Sequence, residues 1–340
     1  MTEQAAEKAA APSRFLVRAV LRTHVGLVRS ENQDFGTYTT AEEERSSVPR
    51  GRLLVVADGM GGHRGGATAS RIAGETVKAQ YLGSETADIP AVLRDALSRA
   101  NARIFTEAQS NPELRGMGTT TSALAIRDRE GWFAHVGDSR IYRIRGEEIK
   151  QLTEDHSLVA SMVREGLLTS KEAENHPRRN VLQRSMGVSE DVEIDVSEPI
   201  ELQEGDTFIL CSDGLHGVVK EEELLEIAKT PIEEAAEEFI KRALARGAPD
   251  NVTVIVARIE VGDETAEEQV PDHFDDTLAL DDTLPYDETQ RDTQPLAIVT
   301  DEVPEPEPPA APPKRKSVFG WVLALVVLSV AGVWYYWNHS

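Results

Sequence analysis

The sequence predicts an α+β domain over residues 14–260, and two features of its pattern support this fold class. Short runs rich in Val, Ile, Leu and Phe, typical of strands, are interspersed with longer stretches in which Ala, Leu and Ile recur at helical spacing. Their order along the chain is a strand, two helices, a run of strands, then helices and a last strand. This order favours α+β layers over a strictly alternating βαβ architecture.

Each element is predicted from its local pattern. Apolar runs bounded by polar or turn residues predict strands at residues 15–21, 53–57, 120–126, 132–136, 140–145, 207–211 and 252–259. Helical periodicity predicts helices at about residues 66–82, 89–109, 220–229 and 231–246. Residues 155–190 are polar and charged, and they predict a small helical insertion over one face of the domain, a candidate flap.

The segments outside this domain differ from it in composition. Residues 1–13 are Ala-rich and charged, which predicts a disordered tail. Residues 261–317 contain few apolar residues and many Pro, Asp, Glu and Thr, which predicts an acidic disordered linker. Two similar segments follow one another inside it, "DDTLAL" at 275–280 and "DDTLPY" at 281–286.

Residues 318–337 predict a transmembrane helix. They form an uncharged run long enough to cross a bilayer, with aromatic residues at both ends, and "KRK" at 314–316 precedes them. Because basic flanks stay in the cytoplasm, we expect a single-pass protein of the cell (inner) membrane whose catalytic domain is cytoplasmic. A buried C-terminal helix is the alternative interpretation.

Charge and cysteine content exclude some functions. The formal net charge of -23 excludes nucleic acid as a partner. The single cysteine, Cys211, cannot form a disulfide within the chain, which suits a reducing cytoplasm. A thiol phosphatase needs an Arg a few residues after its Cys to hold the phosphate, and "SDGLHG" follows Cys211 instead. Thiol chemistry is therefore excluded.

Aspartates recur at the ends of the predicted strands. Asp58, Asp138, Asp213 and Asp250 flank strand ends, and Asp34 lies in "RSENQDFG". One such aspartate is typical of a turn. If the strand ends converge, however, the carboxylates form a cluster whose repulsion a divalent cation relieves. Oxygen ligands of this kind select Mg²⁺ or Mn²⁺ over zinc.

Such a cluster indicates hydrolysis of a phosphate ester. Two cations that share one carboxylate lower the pKa of a water between them and provide a hydroxide nucleophile. Arg29, just before the Asp34 motif, is the candidate for holding the phosphate, because its guanidinium matches phosphate oxygens. The alternative is an ordinary surface Arg on a loop.

Seven motifs in this order and spacing resemble the metal-dependent serine/threonine protein phosphatases of type 2C, the PPM family, in their bacterial form with a C-terminal membrane anchor. The motifs are "RSENQDFG", "VVADGMGGHRGG", "GTTTSALAI", "HVGDSRIYRIR", "LTEDHS", "LCSDGL" and "DNVTVIV". The resemblance covers residues 14–259. It implies a central sandwich of two antiparallel β-sheets flanked by α-helices, with a small flap insertion and the metals at one end of the sandwich.

The resemblance also implies metal-binding roles, for two core Mn²⁺ or Mg²⁺ ions. Asp58 would bridge both ions, and the Gly59 carbonyl would bind one of them. Asp213 and Asp250 would ligate the first ion. Asp138, together with Asp213, would offer a third, looser position.

Further catalytic roles follow from the same resemblance. Asp34 would hold metal-bound water and Arg29 would bind the phosphate. Some members place a general-acid His directly after the Asp-Gly pair, where this chain has Met60, so His63 becomes the candidate proton donor; the alternative is a solvent-facing loop His. His156 is a second candidate donor, against a structural role at the base of the flap. Gln33 stands where many members have Glu.

The resemblance implies a protein phosphatase that hydrolyses phosphoserine and phosphothreonine and reverses the work of a cognate serine/threonine kinase. The alternatives are a catalytically weak regulator that binds phosphoproteins and a phosphatase of small molecules. Four linker threonines each follow an acidic residue: Thr277, Thr283, Thr289 and Thr293. They predict either a solvated spacer or, once phosphorylated, a docking site for a phosphothreonine-binding domain.

Overall fold

The computed structural model describes residues 14–40, 43, 51–62 and 64–262. The tail at 1–13, His63 and residues 263–340 lie outside the described residues. Residues 263–340 include most of the predicted linker and all of the predicted transmembrane segment at 318–337. In the part of the chain that is described, no helix has the length and apolar character needed to cross a membrane.

The described residues form two β-sheets in which every pair of neighbouring strands is antiparallel. The strands are β1 Arg14–His24, β2 Asp34–Tyr38, β3 Arg52–Met60, β4 Gly118–Thr119, β5 Thr121–Arg127, β6 Glu130–Val136, β7 Arg140–Arg145, β8 Glu148–Gln151, β9 Asp195–Val196, β10 Ile200–Glu201, β11 Thr207–Cys211 and β12 Val252–Gly262. One sheet has the order β1-β12-β11-β7-β8. The other has the order β10-β6-β5-β3-β2, with β4 beside β3 and β9 beside β6.

Helices cover the outer faces of the two sheets. They are α1 Gly65–Gly83, α2 Ile89–Ser110, α3 Leu158–Arg164, α4 Ser170–Glu174, α5 Asp213–His216, α6 Glu221–Ile227 and α7 Ile232–Ala245. Helices α1 and α2 pack on the β3 sheet, and α5 to α7 pack on the β12 sheet. The expected α+β sandwich of two antiparallel sheets flanked by helices is therefore confirmed. Helices α3 and α4 lie within the insertion at 155–190.

The core follows the two-residue period of the strands. In β3, Leu53, Val55 and Ala57 face the helices, whereas Leu54 and Val56 face the other sheet. The same alternation places Phe208 and Leu210 of β11 between the sheets, and Ile255 and Ala257 of β12 as well. In each strand, the next residue on the same face, two positions away, is polar: Asp58 in β3, Ser212 after β11 and Thr253 in β12. The apolar layer between the sheets thus ends in polar side chains at one edge of the sandwich.

Several expectations about the elements were wrong, and the short strands β4, β8, β9 and β10 were not predicted. Strand β2 was not predicted, because it begins with Asp34 and contains Gly36 and so lacks a strand-like apolar run. Strand β3 continues through Asp58 and Gly59 to Met60, because its end pairs with β4. Asp58 therefore lies within a strand rather than in the glycine-rich loop after it. At the far end of the domain, β12 extends to Gly262, past its predicted end at residue 259, since it stays paired with β1 there.

Candidate metal centre

The structure brings all five predicted aspartates to the same edge of the sandwich. Asp34 and Asp58 are directly opposite one another in the β2–β3 pair, a placement that sets Cβ atoms about 5 Å apart. Asp213 begins α5 at the end of β11, and its carboxyl is in hydrogen-bonding contact with that of Asp58. The charges of Asp138 and Asp250 both act on Asp58. The carboxylates therefore form one cluster, as the sequence predicts.

Burial and mutual repulsion raise the pKa values of these carboxyls. Burial is the larger cause, and it raises the pKa of Asp34 to about 7 and that of Asp213 to about 6. The pKa of Asp138 rises to about 8. Burial, followed by the charges of Asp34 and Asp213, raises the pKa of Asp58 well above its ordinary range. The protein alone thus holds these groups in an environment that disfavours their charge, which is the condition that a bound cation relieves.

The donor set fits hydrated Mg²⁺ or Mn²⁺. The Oδ1 atoms of Asp34 and Asp213 are buried and accept no hydrogen bond, and buried carboxylate oxygens are costly without a partner. Among the described residues, no three acidic, His or Cys side chains already have the compact spacing of a closed ligand set. Mg²⁺ ordinarily binds through one or two carboxylates and keeps several waters, and oxygen donors without His or Cys suit such a hydrated ion better than a structural zinc.

Threonines of the "GTTTSALAI" motif fix the backbone of Asp58. The Asp58 amide donates to Thr120 Oγ1 at 2.9 Å, and the Asp58 carbonyl accepts from Thr119 Oγ1 and from the Thr120 amide, both at 2.8 Å. Thr120 Oγ1 is in turn 2.7 Å from Ser139 Oγ. Because every backbone polar atom of Asp58 is engaged, its side chain projects from a rigid position.

The glycines after Asp58 allow a close approach of two backbone segments. A Cβ on Gly66 would lie 2.8 Å from the Gly59 carbonyl oxygen, and one on Gly59 would overlap the Gly66 carbonyl. Gly59 also donates its amide to the Gln33 carbonyl at 3.1 Å. Only glycine at both positions lets the first turn of α1 pack against the predicted ligand carbonyl.

Arg29 contacts a predicted metal ligand in the structure. Its Nη2 donates to Asp250 Oδ2 at 2.8 Å, and the Arg29 side chain is 53% exposed. It therefore lies beside the carboxylate cluster with part of its guanidinium open to solvent. The expected position of Arg29 at the site agrees with this geometry. The ion pair with Asp250 was not expected from the sequence.

Asn251 holds the loop that carries Arg29, and the sequence analysis missed it. Its Oδ1 accepts from the Gln33 amide at 2.8 Å, and its Nδ2 donates to the carbonyls of Val25 at 2.8 Å and Glu31 at 2.9 Å. The sequence signal that could have identified Asn251 is its position between the predicted ligand Asp250 and strand β12. A buried amide beside a ligand has both donors and an acceptor to fix a neighbouring loop.

Three histidines hold the turn that presents Asp138, and two of them, His135 and His156, are buried. His135 Nε2 lies 3.0 Å from the Gly137 carbonyl, the Gly137 amide donates to His156 Nδ1 at 3.0 Å, and His216 Nε2 lies 2.9 Å from the Asp138 carbonyl. Burial lowers the pKa of His135 to about 4 and that of His216 to about 3. His135 and His216 are therefore neutral at pH 7, and all three histidines position the backbone. Sequence alone could not assemble them, because they come from distant parts of the chain.

The structure separates the two candidate proton donors. His156 has both ring nitrogens engaged, since its Nε2 is 3.0 Å from Asp195 Oδ2, and its side chain is buried. This arrangement agrees with the structural role at the base of the flap and removes His156 as a proton donor. His63 lies outside the described residues.

Comparisons with known proteins agree with this geometry. The family model described as protein phosphatase 2C matches residues 30–252. The serine/threonine phosphatase Stp of Listeria monocytogenes is 38% identical over 246 residues, which cover 71% of this chain and 95% of that protein. The serine/threonine protein phosphatase PstP of Mycobacterium tuberculosis is 36% identical over 245 residues, which cover 72% of this chain and 45% of that protein.

Solved structures are similar over the same domain. The crystal structure of the M. tuberculosis phosphatase PstP has a TM-score of 0.65 at 36% identity and covers 72% of this chain and 99% of that one. The PstP catalytic domain in complex with two manganese ions has a TM-score of 0.64 at 34% identity and covers the same shares. The chain therefore belongs to the protein phosphatase 2C family and is a metal-dependent protein serine/threonine phosphatase.

Proposed function

We propose that Asp58, the Gly59 carbonyl, Asp213 and Asp250 hold two Mn²⁺ or Mg²⁺ ions, with Asp34 beside them, for hydrolysis of phosphoserine and phosphothreonine. The observation that carries this assignment is the convergence of the buried carboxylates, with the unpartnered Oδ1 atoms of Asp34 and Asp213. When bound, the ions lower the pKa of a water and neutralise charge on the phosphate.

The residues of this chain orient the reactants around that centre. Ser212 Oγ donates to Asp34 Oδ2 at 2.7 Å, which fixes the carboxylate and leaves Oδ1 to accept a proton from the attacking water. Arg29 holds one of its nitrogens on Asp250 and has others left for phosphate oxygens. The phosphate is thereby placed with its phosphorus facing the water and its threonine or serine oxygen facing away.

Two further site assignments belong to the same proposal. Asp138 contributes with Asp213 to a third and looser ion position, which is supported by the raised pKa of Asp138 and by the electrostatic coupling of the two carboxyls. His63 donates the proton that the leaving oxygen requires. Its support is its position four residues past Gly59 in the sequence.

The cellular setting is also proposed. The uncharged segment at 318–337 anchors the chain in the cell membrane with the catalytic domain in the cytoplasm, where it dephosphorylates a cognate serine/threonine kinase and that kinase's substrates. Phosphorylated linker threonines provide a docking site for a phosphothreonine-binding domain. Support comes from the sequence patterns and from the serine/threonine phosphatase names of the relatives.

One assay tests the activity against its alternatives. Purified protein with Mn²⁺ is given a phosphothreonine peptide or a sugar phosphate, and the Asp213→Asn variant serves as control. We expect turnover of the peptide only, with loss of nearly all activity in Asp213→Asn. Tight peptide binding without turnover would indicate the phosphoprotein-binding regulator instead. Preference for the sugar phosphate would indicate a small-molecule phosphatase.

A truncation tests the anchor separately. The full chain and a chain ending at Gly262 are compared for association with lipid vesicles and for peptide turnover. We expect only the full chain to sediment with vesicles and both to hydrolyse the peptide at similar rates. Equal partitioning would contradict the anchor without affecting the activity.

A further inference from the structure

Two exposed apolar side chains precede the phosphate-binding arginine. Leu27 is 63% exposed and Val28 is 71% exposed, and Arg29 follows them with its contact to Asp250. We refer to Leu27 and Val28 as the apolar platform. Large apolar side chains gain free energy when they leave water, so an exposed pair directly beside a phosphate site is suited to contact a substrate residue next to the phosphorylated one.

The backbone under the apolar platform is fixed. The Leu27 amide donates to the Ala248 carbonyl at 3.0 Å, and Asn251 Nδ2 holds the Val25 carbonyl at 2.8 Å. Gly26, at φ +82°, packs so closely that a Cβ would overlap the Asp250 carbonyl. The exposure of the pair therefore belongs to a well-bonded loop, and its distance from Asp250 is set by the fold.

We propose that the apolar platform binds a leucine directly after a phosphothreonine, and that its substrate is this chain's own linker at Thr277 and Thr283. This proposal rests on the phosphatase activity proposed above. Thr277 and Thr283 are each followed by Leu, in the repeated "DDTL", whereas Thr289 and Thr293 are each followed by Gln. The chain thus contains two threonines that match the platform and two with similar acidic neighbours that do not.

The length of the linker permits this reaction within one chain. Strand β12 begins at Val252 beside the metal centre and ends at Gly262, about 33 Å away at the rise of a strand. Thr277 follows Gly262 by about fifteen residues, a length that spans at most about 50 Å. Thr283 has a still longer reach. Delivery within the same chain gives an effective substrate concentration of about millimolar.

The reaction is the hydrolysis of a phosphate ester. Water attacks phosphorus, the bond between phosphorus and the threonine oxygen breaks, and that oxygen takes up a proton as inorganic phosphate leaves. Water is the only co-reactant. The product is the unmodified linker, so this activity removes any docking site that a kinase creates at "DDTL".

The first experiment measures which residue the enzyme prefers directly after the phosphothreonine. Phosphothreonine peptides spanning 275–280, with the native Leu278 or with Leu278→Gln, are compared by kcat/KM. The enzymes are the parent chain, the double variant Leu27→Ser with Val28→Ser, and Val261→Ser as a control. Val261 is also exposed, at 41%, but it lies at the far end of β12. We expect a preference for the leucine peptide of about tenfold in the parent and in the control, and below about twofold in the double variant.

The second experiment tests delivery within the chain. Full-length protein carrying phosphothreonine at 277 or at 289, installed during translation, is purified with chelator. Mn²⁺ then starts the reaction, and loss of phosphate is followed by mass spectrometry at several protein concentrations. We expect first-order loss that is independent of concentration, and it should be at least about tenfold faster at 277 than at 289 because only Thr277 has the following Leu.

The outcomes are distinguishable. Equal rates at the two positions, or an unchanged leucine preference in the double variant, would overturn the role of the apolar platform. Rates proportional to protein concentration would show that the substrate is another molecule and would overturn the assignment to the chain's own linker. No turnover of any phosphopeptide by the parent would instead contradict the proposed function itself.

Discussion

Replacing Asp58 by Asn should stabilise the metal-free protein while abolishing catalysis. In the metal-free fold, burial and the charges of Asp34 and Asp213 raise the pKa of Asp58 well above its ordinary range, so folding favours the protonated carboxyl, which contacts Asp213. An amide has the same shape and can donate the same hydrogen bond to Asp213. The Asp58→Asn variant would therefore reproduce the protonated state without needing to take up a proton.

The size of this effect follows from linkage. The unfolded carboxyl is ionised above pH 3.8, and each pH unit by which the folded carboxyl must be held protonated costs about 1.4 kcal/mol. The parent bears this cost on folding, and the variant does not. The difference therefore grows with pH above 3.8 and is smaller at pH 5 than at pH 7. For a domain of this size, about 1.4 kcal/mol corresponds to an increase in Tm of roughly 4 °C.

Thermal unfolding in chelator, at pH 5 and at pH 7, measures this difference, and a second series with Mn²⁺ measures the response to metal. Saturating metal at about 100 times its Kd should stabilise the parent by about 2.7 kcal/mol. It should stabilise Asp58→Asn much less, because the bridging charge is missing. Should the metal-free variant prove no more stable than the parent at pH 7, or should its advantage fail to shrink toward pH 5, then Asp58 is not buried among carboxylates.

Three further predictions concern the surroundings of the centre. Arg29→Ala should tighten Mn²⁺ binding two- to fivefold in calorimetry, because the exposed ion pair between Arg29 and Asp250 is worth up to about 1 kcal/mol. The same variant should raise KM for a phosphopeptide. Weaker metal binding would contradict the view that Arg29 competes with the metal for Asp250. Asn251→Ala should cost about 2–3 kcal/mol in denaturant unfolding and raise KM more than it lowers kcat, and an unchanged KM would show that Asn251 does not position the Arg29 loop. The free energy of unfolding without metal should fall between pH 6 and pH 8, because Asp34, with a pKa of about 7, binds a proton more tightly when folded. Mn²⁺ affinity should rise over the same range. Calorimetry at both pH values checks that the two quantities change in opposite directions.

Much of the carboxylate cluster could be predicted because its signal is local. Asp138 and Asp213 each adjoin a glycine at the end of an apolar run, and Asp250 lies just before an apolar run, so strand ends and candidate ligands were predicted together. Strand bounds were predicted without error for β11, which apolar and β-branched residues fill, and for β7, in which apolar residues lie between arginines. In these places propensity, period and burial agree.

The rest of the site depends on contacts between distant segments. Asp34 lies in a strand that its own sequence does not favour, and β2 exists because β3 pairs with it. Gly36 in that strand faces Leu21, which leaves no room for a Cβ. Asn251 and His216 act on loops far from them in sequence. Their roles follow from strand order and register, which tertiary packing decides.

The strand register that places the core residues between the sheets also determines the direction in which the carboxylates point. Asp58 continues the row of Leu54 and Val56 between the two sheets, and Ser212, which donates to Asp34, continues the row of Phe208 and Leu210. A slip of one residue in β3 would turn Asp58 toward the helices and bring apolar Ala57 to the centre, while removing Leu54 and Val56 from the inter-sheet core. Because the misaligned strand would lose apolar burial as well as the proposed ligand Asp58, the packing of the core maintains the geometry of the proposed metal site. The repulsion among the carboxylates can therefore persist in the metal-free fold, since the packing of the sandwich opposes any rearrangement that would relieve it.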